Sequence, residues 1–558
     1  MTTTAAKKET TQAPYPMHGG RVIARILAEH GIKHVFGIQG GHVFPLESGF
    51  HEFGVQRLHM RHEQAGAYAA DAYGRLTRAP GICYGTNGPG VTNMASGINQ
   101  AWLVHSPMIA LCGQHRQDLD HRGPLQEAYP LKVTESMSKW GVFIQEWRLL
   151  PMYLRKAIRD CTSYPPGPVI LAIEPRAYFL SGQEKDLAYN VPLGQKAAPS
   201  YGGAKPEDIE KVVQLLIEAE RPALVGGDGI YWADAAAELR ELAELLQVPV
   251  STRRMGRGAV PENHPLSLGA GWRLRFWADA DVIVAIGIKL NTNLENDGEP
   301  PTYPEKAKMV LINECAADAW TPLPTEMEII ANPKVALRQM IDCAKTMLKQ
   351  RPNRQAWLSR LATARADYEA GARASAEEVR GNKPIHGFWL AHEIAEFLDP
   401  NATVIFDAFG GSAHLTGRLK ARFAGQVLDV GEAGGVGHGI GMGIGAQCAR
   451  PGKQVFVMMG DAGIGLGGMD IETAVRYKLP IVYAIYNNST WMGGFEDLYA
   501  KGQIHSWHMM QDIRYDKMFE PLGCHVENVT EPDQIRHALD RAFNSGKTAV
   551  VNFIVDRR

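Results

Sequence analysis

The chain has 558 residues, 45% of them hydrophobic and 21% charged, with a net charge of −2. This length predicts about three domains with full cores, and the near-neutral charge gives no electrostatic reason to expect nucleic acid or an anionic membrane surface as a partner. No apolar run approaches the roughly 20 residues of a spanning helix, and seven scattered cysteines without a Cys-x-x-Cys pair argue against zinc and for a reducing compartment, so a cytoplasmic protein is expected.

Residues 1–16 are polar and Thr-rich and read as a disordered tail. Three blocks of alternating strand and helix patterns follow, at 17–190, 205–345 and 385–558, separated by polar linkers that carry Pro and Gly. The expected fold class is α/β: three stacked, doubly wound domains with mostly parallel sheets.

In the first block, residues 22–27 read as a helix and 33–36 as a strand ending at Gly37-Ile38-Gln39-Gly40-Gly41, with His42 just past the turn. Glu63 opens a helix whose residues Ala65, Ala69, Ala70 and Tyr73 are small or apolar and predict burial; the ordinary alternative is a helix-start glutamate stabilised by the dipole. Gly85-Thr86-Asn87-Gly88-Pro89-Gly90 and Cys112-Gly113-Gln114 each follow a strand. Asn87 and Gln114 are therefore polar pocket candidates beside turn-forming and capping roles. In the middle block, 222–225 and 282–286 read as buried strands, and Gly226-Gly227-Asp228-Gly229 is a strand-to-helix turn without the third glycine of a dinucleotide fingerprint.

The third block runs from a strand at 403–406 to one at 550–555. Within it, Gly460-Asp461-Ala462-Gly463 closes the strand 455–459, a short helix covers 470–476, and Asn487-Asn488 closes the strand 481–486, with Asn488 27 positions after Asp461. This is a βαβ unit with parallel strands, so Asp461 and Asn488 meet at the sheet edge where open α/β folds place ligands. A carboxylate, an amide oxygen and nearby carbonyls form a hard oxygen site suited to Mg²⁺, and the glycines let backbone N–H groups approach a phosphate.

That motif resembles the diphosphate motif of thiamine diphosphate (ThDP) enzymes, with Ala462 where the family usually carries a second glycine. The resemblance extends over essentially the full length, to the pyruvate-oxidase-like branch, and within it most closely to 2-hydroxyacyl-CoA lyases and oxalyl-CoA decarboxylases. It implies Asp461, Asn488 and the Thr490 carbonyl as Mg²⁺ ligands. Arg61-His62-Glu63-Gln64-Ala65 resembles the pyrimidine-domain motif of acetohydroxyacid synthases, which implies Glu63 as the acid beside the cofactor's pyrimidine N1′, where burial raises a carboxyl toward neutrality. Gly434-Gly435-Val436-Gly437-His438-Gly439 resembles the segment that grips the pyrimidine, with Val436 smaller than the usual prop. Cofactor contacts are then expected from Gly410, Gly411, Ser412, Gly435, Val436, His438, Gly460, Asp461, Ala462, Gly463, Asn488, Trp491, Met492 and Gln114. The pyrimidine and diphosphate domains of one chain do not normally face each other in this family, which implies a site between two chains, a homodimer at minimum and a homotetramer as the preferred assembly.

For the reaction, Ala280-Asp281-Val282 through Gly287-Ile288-Lys289-Leu290-Asn291 resembles the oxalyl-CoA decarboxylases and 2-hydroxyacyl-CoA lyases, implying ADP or CoA rather than FAD in the central domain. Arg253, Arg254, Arg257, Arg273, Arg275, Lys289 and Asn291 are the candidates to meet that nucleotide. Against this, Gln126-Glu127 resembles the synthase loop, and the sequence shows no long C-terminal lid. Glu496 is the first candidate for proton transfer at the substrate, with His42, Asn87, Gln126 and Glu127 as further catalytic candidates and His505 and His508 below them. The expected activity is reversible cleavage of a 2-hydroxyacyl-CoA to an aldehyde or ketone plus formyl-CoA. The alternatives are a synthase-like carboligase or decarboxylase of free 2-oxoacids and a noncatalytic subunit of the same fold. Small-molecule substrates, and no nucleic acid or membrane, complete the expected partners.

Overall fold

The computed structural model describes residues 17–188, 200–271, 278–290, 306–319, 321, 324–491 and 513–557. Each block builds one six-stranded sheet, and all strand pairs within these three sheets are parallel. The first sheet holds β1 (His34–Gly37), β2 (Gln56–His59), β3 (Gly81–Gly85), β4 (Met108–Gly113), β5 (Trp140–Ile144) and β6 (Pro168–Ile173), in the order β2-β1-β3-β4-β6-β5. The sequence explains who sits where. Strands β3, β4 and β6 are apolar throughout and buried along their length, as inner strands covered on both faces must be, whereas β2, Gln-Arg-Leu-His, is polar and lies at an edge. Helices α1 (Gly19–Glu29), α2 (Glu63–Thr77) and α3 (Pro89–Leu103) pack around this sheet.

The central sheet holds β7 (Pro222–Gly226), β8 (Val250–Thr252), β9 (Ser267–Leu268), β10 (Val282–Ile286), β11 (Lys308–Asn313) and β12 (Met327–Ile330), ordered β9-β8-β7-β10-β11-β12. This is the doubly wound dinucleotide-type order, with its switch point between β7 and β10. Helix α4 (Asp228–Trp232) follows β7, and the long helix α5 (Gln355–Glu378) leads on to the third block.

The third sheet holds β13 (Thr403–Phe406), β14 (Val427–Leu428), β15 (Val455–Gly460), β16 (Ile481–Asn487), β17 (His525–Val529) and β18 (Ala549–Ile554), ordered β14-β13-β15-β16-β18-β17. Strand for strand this is the order of the first sheet. The first and third blocks are thus two copies of one topology, a relation that no repeat in the sequence reveals.

Helix α6 (Gly439–Ala449) stands between the second and third strands of its block, as α2 does in the first, and these two helices pack on each other. The contact runs between matching positions. Gly441 lies against Ala65 and Gly445 against Ala69, so close that a Cβ on either glycine would overlap the opposing carbonyl. Around them the two blocks share one hydrophobic core containing Tyr68, Met94, Ile440, Met442 and Ile444. Arg75, 1% exposed, joins Asp71 at 2.6 Å and donates to the Asp429 carbonyl at 2.9 Å. This corrects the expectation that the first and third blocks of one chain do not face each other. Among the described residues no helix is long and apolar enough to cross a membrane.

Candidate functional site

The end of β15 and the end of β16 are neighbours in the third sheet. Asp461 follows β15 directly and is 2% exposed; its carboxylate accepts the N–H of Ala462 at 3.1 Å and that of Ser489 at 3.0 Å. Burial pushes its carboxyl up to about 7, against the pull of those N–H groups. Ser489 takes the left-handed conformation, φ 56°, a turn that sends the Asn488 side chain and the Thr490 carbonyl to the same side. The outer atom of the Asn488 amide lies 3.3 Å from Asp461 Oδ1 and 3.1 Å from Thr490 O. Placed as oxygen, it brings three acceptors together, an arrangement that a hard divalent cation resolves; turned over, its N–H donates to the other two. A carboxylate, an amide and a carbonyl form a hard oxygen set of the kind that fits Mg²⁺.

Around this triad lies a cavity of about 210 Å³. It gathers Gly410, Gly411, Val436, Gly460, Asp461, Ala462, Gly463, Asn488, Thr490 and Trp491 of the expected contacts. His414 and Arg557 line it too. Neither stands in a motif; a histidine early in the helix after Gly411 and a cation beyond the last strand are visible only once the sheet brings them together. Four expected contacts sit elsewhere, Gln114 in the first block and three in the third. The Ser412 hydroxyl donates to the Phe409 carbonyl at 2.7 Å and faces a neighbouring cavity. Gly435 lies beside the Tyr68 hydroxyl. His438 is fully buried, its ring 5.6 Å from that of Tyr68 and its Nε2 3.4 Å from the Phe406 carbonyl, so its side chain belongs to the seam between the blocks.

In the first block, Glu63 is the first residue of α2 and 7% exposed, with Asn93 Nδ2 donating to its Oε2 at 3.0 Å. His62 caps the helix by accepting the Gln64 N–H. At the C-terminal ends of β1, β3 and β4 a polar cluster forms. His42 Nδ1 lies 3.0 Å from Thr86 Oγ1, which also donates to Gln126 Oε1 at 3.3 Å. Burial, then the neighbouring His115, holds the His42 imidazole below its ordinary pKa. Asn87 is fully buried and Gln114 nearly so. Glu127 accepts the His121 N–H and the Tyr129 hydroxyl, which engages it in holding its own loop. No residue of this block lines the cavity around Asp461.

A second cavity, about 580 Å³, lies between the central and third sheets and is lined by Arg253, Arg254 and Arg257. Carboxylates hold Arg254 and Arg257. Arg254 donates to Asp429 and Glu432 at 3.2 and 2.9 Å, and Arg257 makes a two-pronged bond to Glu262 and donates to the Thr416 and Leu419 carbonyls. That corrects the expectation of a phosphate contact for Arg257, whose buried fork instead ties the central block to the third. Lys289 is exposed beside the β7/β10 switch point. There Gly227 and Gly229 pack directly on Gly287 and Ile288, which fills the turn with protein backbone. Met492, Glu496, Asn291, Arg273, Arg275, His505 and His508 lie outside the described residues.

Residues 17–133 match the family model described as thiamine pyrophosphate enzyme, N-terminal TPP binding domain; 209–340 match its central domain; 410–553 match its C-terminal TPP binding domain. A probable acetolactate synthase of Mycobacterium bovis is 29% identical over 544 residues, covering 97% of this chain and 96% of the relative. A 2-hydroxyacyl-CoA lyase of Arabidopsis thaliana is 28% identical over 573 residues, covering 99% and 97%. The 2-hydroxyacyl-CoA lyase 1 of Mus musculus is 26% identical over 554 residues, covering 96% and 94%.

Proposed function

The chain belongs to the thiamine diphosphate-dependent enzymes, and from that premise we propose that it is a Mg²⁺-dependent carbon–carbon bond lyase that reversibly cleaves a 2-hydroxyacyl-CoA to an aldehyde or ketone and formyl-CoA. The observation that carries the chemistry is the convergence of Asp461, Asn488 and Thr490 oxygens in one cavity, with the buried acid Glu63 in the topologically matching block. Bound ThDP supplies a carbon nucleophile and a sink for the electrons of the broken bond. Asp461, Asn488 and the Thr490 carbonyl would hold Mg²⁺, and His414 and Arg557 would face the diphosphate. Glu63 would hold a proton at the pyrimidine N1′, steadied by Asn93. Glu496 remains the proposed proton carrier at the substrate, with His42 and Gln126 bordering the pocket.

In this reading the reaction pocket forms between two chains of a homodimer, which pairs further into a homotetramer. In support, among the described residues only those of the third block line the Asp461 cavity. Large apolar side chains also stand exposed near both sets of strand ends, Phe44 and Leu125 in the first block and Leu466, Met469 and Trp491 in the third, as on faces that a second copy covers. The nucleotide of the thioester would occupy the 580 Å³ cavity beside Arg253.

A second reading, carboligation or decarboxylation of free 2-oxoacids, is favoured by Gln126 bonding to Thr86 at the strand ends and by the acetolactate synthase relative. One preparation separates the two. Release of formyl-CoA from a 2-hydroxyacyl-CoA, with CoA or ADP co-purifying by mass spectrometry, supports the lyase; a yellow flavin spectrum and product from pyruvate alone refute it. Glu496→Gln should depress turnover and leave ThDP bound, and undiminished lyase activity would remove Glu496 from its role.

A further inference from the structure

His115 leaves the C-terminal end of β4 and is 2% exposed. Its Nε2 lies 2.6 Å from Asp120 Oδ1, and its Nδ1 lies 3.1 Å from Nδ2 of Asn87 on the loop after β3. An aspartate carboxylate accepts, so Nε2 carries the proton, and with Nδ2 of Asn87 facing it, Nδ1 of the neutral ring is the lone pair that accepts an N–H of the amide. Asp120 thereby sets the tautomer of His115, and His115 sets the rotation of Asn87. Turned this way, Asn87 presents its Oδ1 away from the imidazole. That oxygen is fully buried and meets no donor among the described residues, a condition native interiors seldom tolerate without a ligand or water to relieve it.

The position in the fold says what could supply the donor. Strands β3 and β4 are the third and fourth of the first sheet, the counterparts of β15 and β16, whose ends carry Asp461 and Asn488. Open parallel sheets bind ligands at these strand ends. Where the third block offers charged and neutral oxygens suited to a cation, Asn87 offers a neutral amide oxygen, suited to an uncharged O–H or N–H. The cofactor ring already has its acceptor in Glu63. Resting on the reading of the chain as a 2-hydroxyacyl-CoA lyase whose pocket His42 and Gln126 border, we propose that Asn87 Oδ1 accepts a hydrogen bond from the 2-hydroxyl of the bound substrate, with His115 and Asp120 as positioning residues that hold the amide in that rotation.

The test uses full-length holoenzyme with Mg²⁺, ThDP and two probes: 2-hydroxyisobutyryl-CoA, which carries the hydroxyl, and pyruvate, which lacks it. Asn87→Ala should lower kcat/KM for the thioester by about tenfold or more, leave ThDP affinity unchanged and spare any turnover of pyruvate. His115→Phe, which keeps a ring against Tyr129, should cause a smaller loss, and Asn87→Ala combined with His115→Phe should be no worse than Asn87→Ala alone. Asn87→Ser provides the same comparison should Asn87→Ala fail to fold. Additive losses in the double variant would overturn the positioning role, and weakened ThDP binding with unchanged thioester kinetics would assign the donor to the cofactor and overturn the proposal. Wild-type turnover that Asn87→Ala leaves intact sinks this assignment alone, whereas a wild type with no ThDP-dependent turnover of either probe sinks the functional reading and the assignment together.

Discussion

The carboxylate of Asp461 accepts the backbone N–H of Ser489 at 3.0 Å, tying the end of one parallel strand to the end of the next. That tie fixes where Asn488 and Thr490 present their oxygens, because the left-handed turn at Ser489 leaves both on the side of Asp461. Three oxygens held this close repel one another unless a cation or a donor lies among them. Replacing Asp461 by Ala should therefore weaken Mg²⁺-dependent ThDP binding by about 100-fold. Titration of ThDP against intrinsic tryptophan fluorescence, with and without EDTA, reads this directly; tight Mg²⁺-dependent binding by the variant would remove Asp461 from the metal site.

Glu63 makes a different prediction because, among the described residues, it forms no ion pair. Its carboxylate accepts the Asn93 amide N–H, and glutamine can accept that same N–H. Glu63→Gln should keep its fold and bind ThDP within a few-fold of wild type while turnover falls by about 100-fold or more, the usual scale for losing a positioned proton donor. The result to look for is this split. A parallel loss of ThDP affinity would make Glu63 a structural residue of the cofactor pocket.

Much of this was legible in the sequence for a physical reason. The Asp461 to Asn488 site lies within one βαβ unit, where strand periodicity and right-handed crossover dictate which residues meet. The burial of Glu63 was legible because small residues on the following turns announce a buried helix, whereas its role beside the pyrimidine rests on the family resemblance. His115 and Asp120 were not legible. Their link to Asn87 crosses from one strand end to another, and neither stands in a spacing that chemistry requires. Arg257 misled because a lone arginine in sequence carries no sign of its partner, and Glu262, five residues on, forms the fork that engages it. The seam between α2 and α6 was hidden for a related reason: glycines in a helix read as weak formers until a second helix is found pressed against them.

That seam makes its own prediction. Gly441 and Gly445 have no room for a Cβ, since each would overlap a main-chain carbonyl of α2 that cannot rotate away. Alanine is the better helix former, so propensity alone predicts stabilisation by nearly 1 kcal/mol at each site. Overpacking against backbone costs more, roughly 1–3 kcal/mol. Gly445→Ala should thus lower Tm, and Gly371→Ala in α5, where the added Cβ meets nothing within 4 Å, should not. A stabilised Gly445→Ala protein would mean that the helices are farther apart in solution.

Asp470 gives the pH prediction. It is 1% exposed, accepts the Arg61 N–H at 2.8 Å and the Thr473 hydroxyl at 3.0 Å, and so pins the segment that leads into Glu63. Burial pushes its carboxyl up to about 6 from an ordinary 3.8. A group with a raised folded pKa gives its full stability below the unfolded value and loses it as pH rises through the folded one. The Asp470 contribution should therefore fall between pH 4 and 6, by on the order of 2–3 kcal/mol. Asp470→Asn can still accept the Arg61 N–H but cannot ionise. The variant should gain on the wild type steadily across that window and hold a constant difference above it, where other titrating groups cancel between the two proteins. Thermal unfolding of both at pH 4, 5, 6 and 7 measures the difference, and a difference that stays flat or shifts in favour of the wild type with rising pH would show that Asp470 is charged at no cost in the folded state.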